Sequence, residues 1–414
     1  MITRNPQSAV RRRLVLGLFG AVPLVASGAL AGPAAAATVR RATLTGIIPP
    51  GLRPGGAVDQ LISQQAAQDV FSGTVLLASH GEPVLARSYG LANKELSIPN
   101  GPDTVFALAS VTKAVTGVAV TQLAQRGELG FDDPLGAYLP GFPAEVADNV
   151  TIHQLLTHTS GMGDYVTDRT LQSELGSFTS AAGEWAAIMS VIEQQPLLFQ
   201  PGTQWSYSNS GFFTLGAIVA QVSGQSYYDY VRQNIFGPAG MTSTGFYTKP
   251  ELLSNNNVAH PYATQEQNGS GPRYDFLDSA YAPFIGGPDG GGWSTAPDML
   301  RFASALWRQR LLDSSFTGIA TSAKAPLPAS VADSGANADF YCYGLGETVL
   351  NHQRIVWHNG GGPGISTDLD TYPDLGWVAI RLENYDTASP SSPIDTLIRD
   401  ILTTEPGLFA GYHA

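Results

Sequence analysis

Residues 106–123 read FALASVTKAVTGVAVTQL and place one of the chain's four lysines in an otherwise almost wholly apolar run. Apolar residues on nearly every face predict a buried helix, with Ser110 in its first turn. Ser110 and Lys113 are one helical turn apart, so their side chains share a face. Burial disfavours a charged lysine, and a neutral amine can take a proton from a serine hydroxyl. The alternative is a snorkelling lysine beside a serine that caps the helix.

A second polar group stands before another apolar helix, in the stretch PGTQWSYSNSGFFTLG. Tyr207 and Asn209 are predicted to lie in the loop before that helix. A phenol near an amine can shuttle a proton, and an amide side chain can both donate to and accept from a substrate. The alternative for a loop tyrosine is packing alone.

A third group ends a predicted strand, in RIVWHNGGGPGIS. His358 is followed by Asn359, Gly360 and Gly361. Glycines at a strand edge let a substrate backbone approach closely and leave N–H groups available. A simple tight turn is the alternative. A phosphate loop is rejected, because the Gly-Lys-Ser/Thr ending and the following helix are missing.

Other candidate sites are set aside on chemical grounds. Thr151 and Gln154 form a capping-box pattern for a helix predicted to end at Gly161. His153 and His158 fall on different faces of it with no further ligands nearby in sequence, so packing or hydrogen bonding is expected rather than metal binding. Cys342 is the single cysteine and is expected to be inert packing in a buried strand. No metal and no organic cofactor are expected.

Taken in order, Ser110-Val-Thr-Lys113, Tyr207-Ser-Asn209 and His358-Asn-Gly360 resemble the three signature elements of the penicillin-recognising serine hydrolases, in particular the class C β-lactamase-like branch. The stretches FSGTVLLA, LLTHTSGM and GGWSTAPDMLRF resemble that family too. The resemblance implies that Ser110 is the acylated nucleophile, Lys113 its activating partner and Tyr207 a proton shuttle. It further implies a substrate-amide contact at Asn209 and an oxyanion hole formed by the N–H groups of Ser110 and Gly361, with His358, Gly360 and Gly361 binding substrate. Gly-x-Ser-x-Gly is absent from the sequence, which argues against an α/β-hydrolase.

The third element departs from class C β-lactamases, which carry Lys-Thr-Gly there. Histidine is mostly neutral near pH 7, so recognition of a substrate carboxylate is expected to be weaker. Histidine at this place resembles soluble D-alanyl-D-alanine carboxypeptidases, D-amino-acid peptidases and related esterases. The expected function is therefore hydrolysis of an ester or a peptide-type amide. A β-lactamase and a non-catalytic protein that binds cell-wall peptides or penicillin are the alternatives.

Both ends of the chain are rich in predicted strands, and the middle is predicted to be helical. This pattern predicts an α/β (α+β) fold: an antiparallel sheet flanked by helices and built from both chain ends, with an inserted all-helical domain, as in β-lactamase-like proteins. The predicted segments are a linker at 38–56, a sheet domain from 57–110 and 286–406, and a helical domain at 111–285. Within the sheet domain we expect helices at 58–70 and 392–404 and strands at 72–79, 84–90, 341–350, 353–360 and 375–385.

The first 37 residues have the pattern of an export signal. Four arginines without an acidic residue precede a weakly apolar run and the small-residue stretch PAAAAT. The VRRRLVLG run resembles a twin-arginine signal, so an exported protein, periplasmic or secreted, is expected, with no stable membrane anchor once the signal is removed. A retained membrane anchor is the competing interpretation. With 22 basic against 34 acidic residues, the chain lacks the footprint of a nucleic-acid binder. The expected partner is a small-molecule or short-peptide substrate.

Overall fold

An antiparallel sheet of eight strands, drawn from both ends of the chain, forms the frame of the molecule. The computed structural model describes residues 48–265, 271–333, 335–386 and 392–404, so the predicted export signal and most of the linker lie outside the described residues. The strands are β1 (Gly73–Ser79), β2 (Glu82–Tyr89), β3 (Leu91–Asn93), β4 (Ile98–Pro99), β5 (Phe106–Ala107), β6 (Tyr262–Thr264), β7 (Arg273–Asp275), β8 (Trp293–Ser294), β9 (Ala325–Pro326), β10 (Ala338–Tyr341), β11 (Gly346–Leu350), β12 (Gln353–Gly362), β13 (Ile365–Tyr372) and β14 (Trp377–Glu383).

Helices cover both faces of the sheet and fill most of the segment between its two halves. They are α1 (Ala57–Ala67), α2 (Thr112–Gln125), α3 (Ala144–Ala147), α4 (Ile152–Leu156), α5 (Arg169–Glu174), α6 (Ala181–Gln194), α7 (Asn209–Ser223), α8 (Tyr227–Val231), α9 (Gly237–Ala239), α10 (Lys249–Ser254), α11 (Ala296–Trp307), α12 (Ser314–Thr321) and α13 (Pro393–Thr404). No helix within the described part of the chain has the length and apolar character that crossing a bilayer requires.

The sheet order is β2-β1-β14-β13-β12-β11-β10-β9, so β1 from the N-terminal part lies beside β14 from the C-terminal part. The predicted antiparallel sheet built from both chain ends is confirmed. The segment 111–285, which was predicted to be all-helical, also contains strands, because β6 and β7 pair antiparallel within it. The domain boundaries themselves stay predictions.

Alternate residues of β1 enter two different cores, as the two-residue period of a strand requires. Val75 and Leu77 pack with α1 and α13 on one face of the sheet. Leu76 and Ala78 join the larger core on the other face, to which α2, α7 and α11 contribute. The sheet is therefore buried on both faces, and the turn Ala109–Val111 that precedes α2 packs against β12 and β13.

The helix predicted from residue 106 begins later than expected. Phe106 and Ala107 instead pair with Trp293 and Ser294 as strands β5 and β8. Ala109 has a left-handed φ of 44°, which cannot continue a right-handed helix towards the N-terminus. A 3₁₀ turn over Ala109–Val111 then leads into α2. Residues Thr112 to Leu123 are all buried, as the apolar pattern predicts.

The helix predicted to end at Gly161 is also shorter than expected. Its capping box is present, with Thr151 and Gln154 bonded to each other's backbone. The helix α4 ends at Leu156, because His158 two residues later takes a left-handed φ of 60°. The side chain of His158 therefore lies in the core and not on the helix surface, and its exposed fraction is 1%.

Candidate active site

The turn that carries Ser110 is tied by hydrogen bonds to the residue before β8 and to strand β13. Leu108 N donates to Gly292 O at 2.8 Å, and Thr367 Oγ1 donates to Leu108 O at 2.8 Å. The left-handed φ of Ala109 lies directly before Ser110, and such strain persists only where the surroundings over-determine the backbone. The hydroxyl of Ser110 is thereby held at the N-terminal end of α2 and is only half-buried.

Lys113 is fully buried, and its Nζ has three hydrogen-bond partners. Its Nζ donates to Ser110 Oγ at 3.3 Å, to Asn209 Oδ1 at 2.7 Å and to Asp289 O at 2.5 Å. The ring of Tyr207 lies beside it, with Nζ 4.7 Å from the ring centroid. The structure therefore brings Ser110, Lys113, Tyr207 and Asn209 together, and the alternative of a snorkelling lysine does not fit a side chain with no exposure.

The Tyr207–Asn209 segment is fixed by the start of α7 and by His158. Ser208 caps the helix, because its Oγ accepts from Gly211 N at 3.1 Å. Ser208 N in turn donates to His158 Nδ1 at 3.1 Å, and the His158 ring lies 4.3 Å from that of Tyr207. Burial lowers the pKa of His158 well below its usual value, with a further contribution from the charge of Lys113. A neutral His158 thus supports the tyrosine, in agreement with the prediction of packing and hydrogen bonding.

His358 lies on β12 with an exposed fraction of 2%. A carbonyl oxygen can only accept, so His358 Nδ1 must carry the proton that it gives to Asn359 O at 2.6 Å. Nε2 then accepts from the Tyr341 hydroxyl at 2.9 Å. Burial, and secondarily the charge of Lys113, lower the pKa of His358 to about 3. The site therefore has a neutral imidazole where the resemblance would otherwise place a permanent cation.

The end of β12 is an edge that faces the Ser110 turn. Its pairing with β11 stops at Trp357, whereas its pairing with β13 continues to Gly362. At position 360 a Cβ would lie 2.4 Å from Leu108 O and 3.0 Å from Ser110 N. At position 361 a Cβ would meet nothing within 4 Å. Gly360 thus allows the strand to touch the Ser110 turn, and Gly361 lies beside open space.

Three residues that the sequence analysis missed surround Lys113 and Asn209. Asn209 Nδ2 donates to Asp164 Oδ2 at 2.9 Å. The next residue, Tyr165, donates its hydroxyl to Asp289 Oδ2 at 2.9 Å, and the backbone oxygen of Asp289 is one of the acceptors of Lys113. Burial raises the pKa of Asp289. Nothing local in sequence signals these roles, since the partners are 45 to 176 residues apart.

Other chemistry-bearing residues lie apart from this cluster or serve packing. Cys342 is fully buried in the turn after β10 rather than inside a strand, and burial raises the pKa of its thiol. His153 bonds the Tyr343 hydroxyl at 2.9 Å. Among the described residues, no group of three or more His, Cys, Asp or Glu side chains is placed to hold a metal ion.

A serine and a buried lysine at the start of a helix, next to a tyrosine and a glycine-lined strand edge, define a class of serine acyltransferases and hydrolases. The family model described as Beta-lactamase matches residues 58–403. The chain therefore belongs to the beta-lactamase family, which confirms the resemblance drawn from the motifs, and it is a serine hydrolase of the β-lactamase/D,D-peptidase type.

Relatives within this family differ in their names. Penicillin-binding protein 4* of Bacillus subtilis is 32% identical over 76% of this chain and 68% of its own length. Esterase EstB of Burkholderia gladioli is 32% identical over 60% of this chain and 69% of its own length. The crystal structure of a penicillin binding protein from Bacillus halodurans matches with a TM-score of 0.70 and 30% identity, over 83% of this chain and 98% of that one.

Proposed function

We propose that the protein cleaves an ester or a peptide-type amide through an acyl-enzyme on Ser110. The observation that carries the proposal is the contact of 3.3 Å between Ser110 Oγ and the Nζ of fully buried Lys113. Lys113 is the activating partner of Ser110, and Tyr207, whose ring lies against Lys113, is the proton shuttle. Asn209 contacts the substrate amide, and the N–H groups of Ser110 and Gly361 stabilise the oxyanion.

The reaction has two steps. Ser110 Oγ attacks the substrate carbonyl, and the hydroxyl proton passes through the Lys113–Tyr207 pair to the leaving oxygen or nitrogen. The bond to the leaving group breaks, and the acyl group stays on Ser110 as an ester. Water then attacks that ester, and its proton passes through the same pair to Ser110 Oγ. The bond between the acyl carbon and Oγ breaks, which releases the carboxylic acid and restores the serine hydroxyl. Three hydrogen bonds hold Lys113 in place, which keeps the pair oriented in both steps.

The proposed substrate class rests on His358 in the His358-Asn359-Gly360 stretch. A neutral His358 gives a substrate carboxylate no ion pair, so we rank ester and D-amino-acid peptide substrates above β-lactams. The kinship with Esterase EstB supports an ester substrate. The kinship with penicillin-binding protein 4* supports acylation by penicillin, and it keeps β-lactam hydrolysis and non-catalytic penicillin binding as alternatives.

The test uses the purified chain and its Ser110→Ala variant. Each is incubated with a fluorophosphonate, a fluorescent penicillin and an aryl acetate, and the intact protein is weighed by mass spectrometry. We expect one adduct that maps to Ser110, and loss of both adduct and turnover in Ser110→Ala. Turnover that persists in the variant would reject the mechanism, and a wild-type chain without any adduct would favour the non-catalytic alternative.

A second comparison ranks the substrates. Rates are measured on an aryl ester, a D-amino-acid anilide and a chromogenic cephalosporin. Faster turnover of the ester or anilide is expected, and rapid hydrolysis of the cephalosporin would favour a β-lactamase.

We also propose export by the twin-arginine route, on the arginines and the apolar run of residues 1–37. Substituting lysine at Arg11 and Arg12 should retain the protein in the cytoplasm of an expressing bacterium, as judged by fractionation. Unchanged export of that variant would reject this route.

A further inference from the structure

The side chain of Asn209 is held at both ends of its amide. Oδ1 accepts from Lys113 Nζ at 2.7 Å, and Nδ2 donates to Asp164 Oδ2 at 2.9 Å. An amide has one accepting and one donating end, and a rotation of half a turn exchanges them. A carboxylate can only accept, so a charged Asp164 allows one of the two orientations. In the reversed orientation two donors, Nδ2 and Nζ, would face each other.

Asp164 is itself anchored at the rim of the site. Its Oδ1 accepts from Val166 N at 3.2 Å, so Asp164 caps the short 3₁₀ turn Tyr165–Thr167. The neighbouring Tyr165 is buried, and its hydroxyl bonds the carboxyl group of Asp289. Residues 164 and 165 therefore support two of the three acceptors of Lys113, namely Asn209 Oδ1 and Asp289 O. The third acceptor is Ser110 Oγ.

We propose that Asp164 is a positioning residue: it fixes the amide orientation of Asn209, and through it the direction in which Lys113 faces Ser110. The proposal rests on the proposed function, because it concerns the same acylation step. Asp164 forms no hydrogen bond to Ser110 or Lys113 in the structure, and its direct contacts with the cluster are to Asn209, whose backbone N also donates to Asp164 Oδ2 at 3.4 Å. Without Asp164, Asn209 can turn its Nδ2 towards Lys113, and Lys113 Nζ loses Asn209 Oδ1 as a partner. Misplacement of a reacting group by about 1 Å can cost on the order of a hundredfold in rate.

The experiment is a double-mutant cycle on the rate of Ser110 acylation by an aryl ester. In the otherwise unchanged chain, we expect Asp164→Ala to lower the acylation rate constant, measured in single-turnover experiments, by about tenfold to a hundredfold. In an Asn209→Ala background the same substitution should change the rate by less than about twofold, because the group that it positions is gone. An equal loss in both backgrounds would overturn the proposal, as would an undiminished rate for Asp164→Ala alone.

A matched control removes a similar cap from the same stretch of chain. Asp168 is also half-buried, and its Oδ1 accepts from Leu171 N at 2.9 Å at the start of α5. Asp168→Ala should leave the acylation rate within about twofold of the parent, and a loss equal to that of Asp164→Ala would mean that a loosened loop explains both.

If Asp164→Ala does not fold, Asp164→Asn replaces it in the cycle. An asparagine keeps the shape of the aspartate and one accepting oxygen, but it can also donate, so it no longer enforces one orientation of Asn209. We therefore expect Asp164→Asn to lower the acylation rate by less than Asp164→Ala does. This loss should occur in the chain that retains Asn209 and not in the Asn209→Ala background. An unchanged rate for Asp164→Asn would overturn the proposal. The adduct on the wild-type chain distinguishes failure of this proposal from failure of the proposed function. If the wild type is acylated at Ser110 and the Asp164 variants are acylated at the same rate, only the positioning role is rejected. If the wild type forms no adduct, the proposed function is rejected as well.

Discussion

At the scale of single residues, two neighbouring glycines of β12 differ sharply in what surrounds them. A Cβ on Gly360 would lie 2.4 Å from both Leu108 O and Thr367 Oγ1, whereas a Cβ on Gly361 would meet nothing within 4 Å. Neither glycine has a positive φ, so the two positions differ in the room available for a Cβ and not in backbone strain. The contact between β12 and the Ser110 turn thus depends on one missing methyl group.

This difference predicts opposite outcomes for two alanine variants. Gly360→Ala should lower the free energy of unfolding by about 1–3 kcal/mol, because the strand must move away from Leu108 and Thr367. Gly361→Ala should change it by no more than about 0.5 kcal/mol. Urea denaturation of both variants measures the values. Equal stability of the two variants would show that the strand can move at no cost.

The sequence predicted residues that the structure brings together, but it did not predict which residues hold them in place. Ser110 and Lys113 are three residues apart, and this helical spacing alone predicts that their side chains share a face. Asp164 and Asp289 are polar residues in loops, and their partners lie on other elements far along the chain. A carboxylate that acts only through a folded contact leaves no periodic pattern. Such residues become visible only when the side chains are placed in space.

At the scale of elements, α13 is fixed to the sheet by buried ion pairs as well as by apolar contacts. Arg381 on β14 bonds Asp395 of α13 at 2.7 Å and Glu383 at 2.5 Å, with a side-chain exposure of 4%. Arg399 of α13 pairs with Asp370 of β13 at 2.7 Å. Charges inside a core are tolerated when each is matched, so this network also determines where α13 docks.

Removing one member of the network should therefore be costly. Arg381→Met leaves Glu383 and Asp395 buried without their cation, and the expected loss of unfolding free energy is about 3–5 kcal/mol. The matched control is Arg232→Met, which breaks an exposed pair with Asp229 and should cost at most about 1 kcal/mol. Chemical denaturation compares them, and equal losses would mean that burial of the network adds nothing.

The same network explains why the sequence analysis missed β13, the longest of the strands that it did not predict. The hairpin β1–β2 and the strands β11, β12 and β14 were predicted from runs of apolar and β-branched residues, and they are confirmed. Strand β13 reads ISTDLDTY, and its Asp368 and Asp370 are typical of a turn. Both are buried, and Arg399 lies close to each of them. Their charges are balanced by residues elsewhere in the chain, which local propensity cannot register.

At the scale of the whole molecule, buried titrating groups pull the pH dependence of stability in opposite directions. Burial raises the pKa of Glu184 to about 7, although its carboxylate accepts from Ile285 N at 2.9 Å. Its contribution is fully present below its unfolded pKa of 4.5 and is lost as the pH rises through 7. His358 has its pKa lowered to about 3, so its contribution is present above 6.5 and is lost as the pH falls towards 3.

Glu184→Gln isolates one of these two effects. Glutamine keeps an accepting oxygen for Ile285 N and cannot ionise. The melting temperature of the wild type relative to that of the variant should therefore fall as the pH rises from about 4.5 to about 7, and then level off. Thermal melts at intervals of pH measure this difference. A constant difference across that range would show that Glu184 does not titrate as its burial requires.

The pairing of β1 with β14 has a consequence for biosynthesis. Gly73 lies opposite Glu383, so two neighbouring inner strands of the sheet come from opposite ends of the described chain. On the ribosome, β1 emerges long before the strand that must lie beside it, and contacts of such separation make folding slow. The nascent protein must therefore keep β1 and β2 from pairing with other chains until translation reaches β14. Only then can α13 dock on the sheet, so the frame that holds the site is completed only after residues 393–404 have been made.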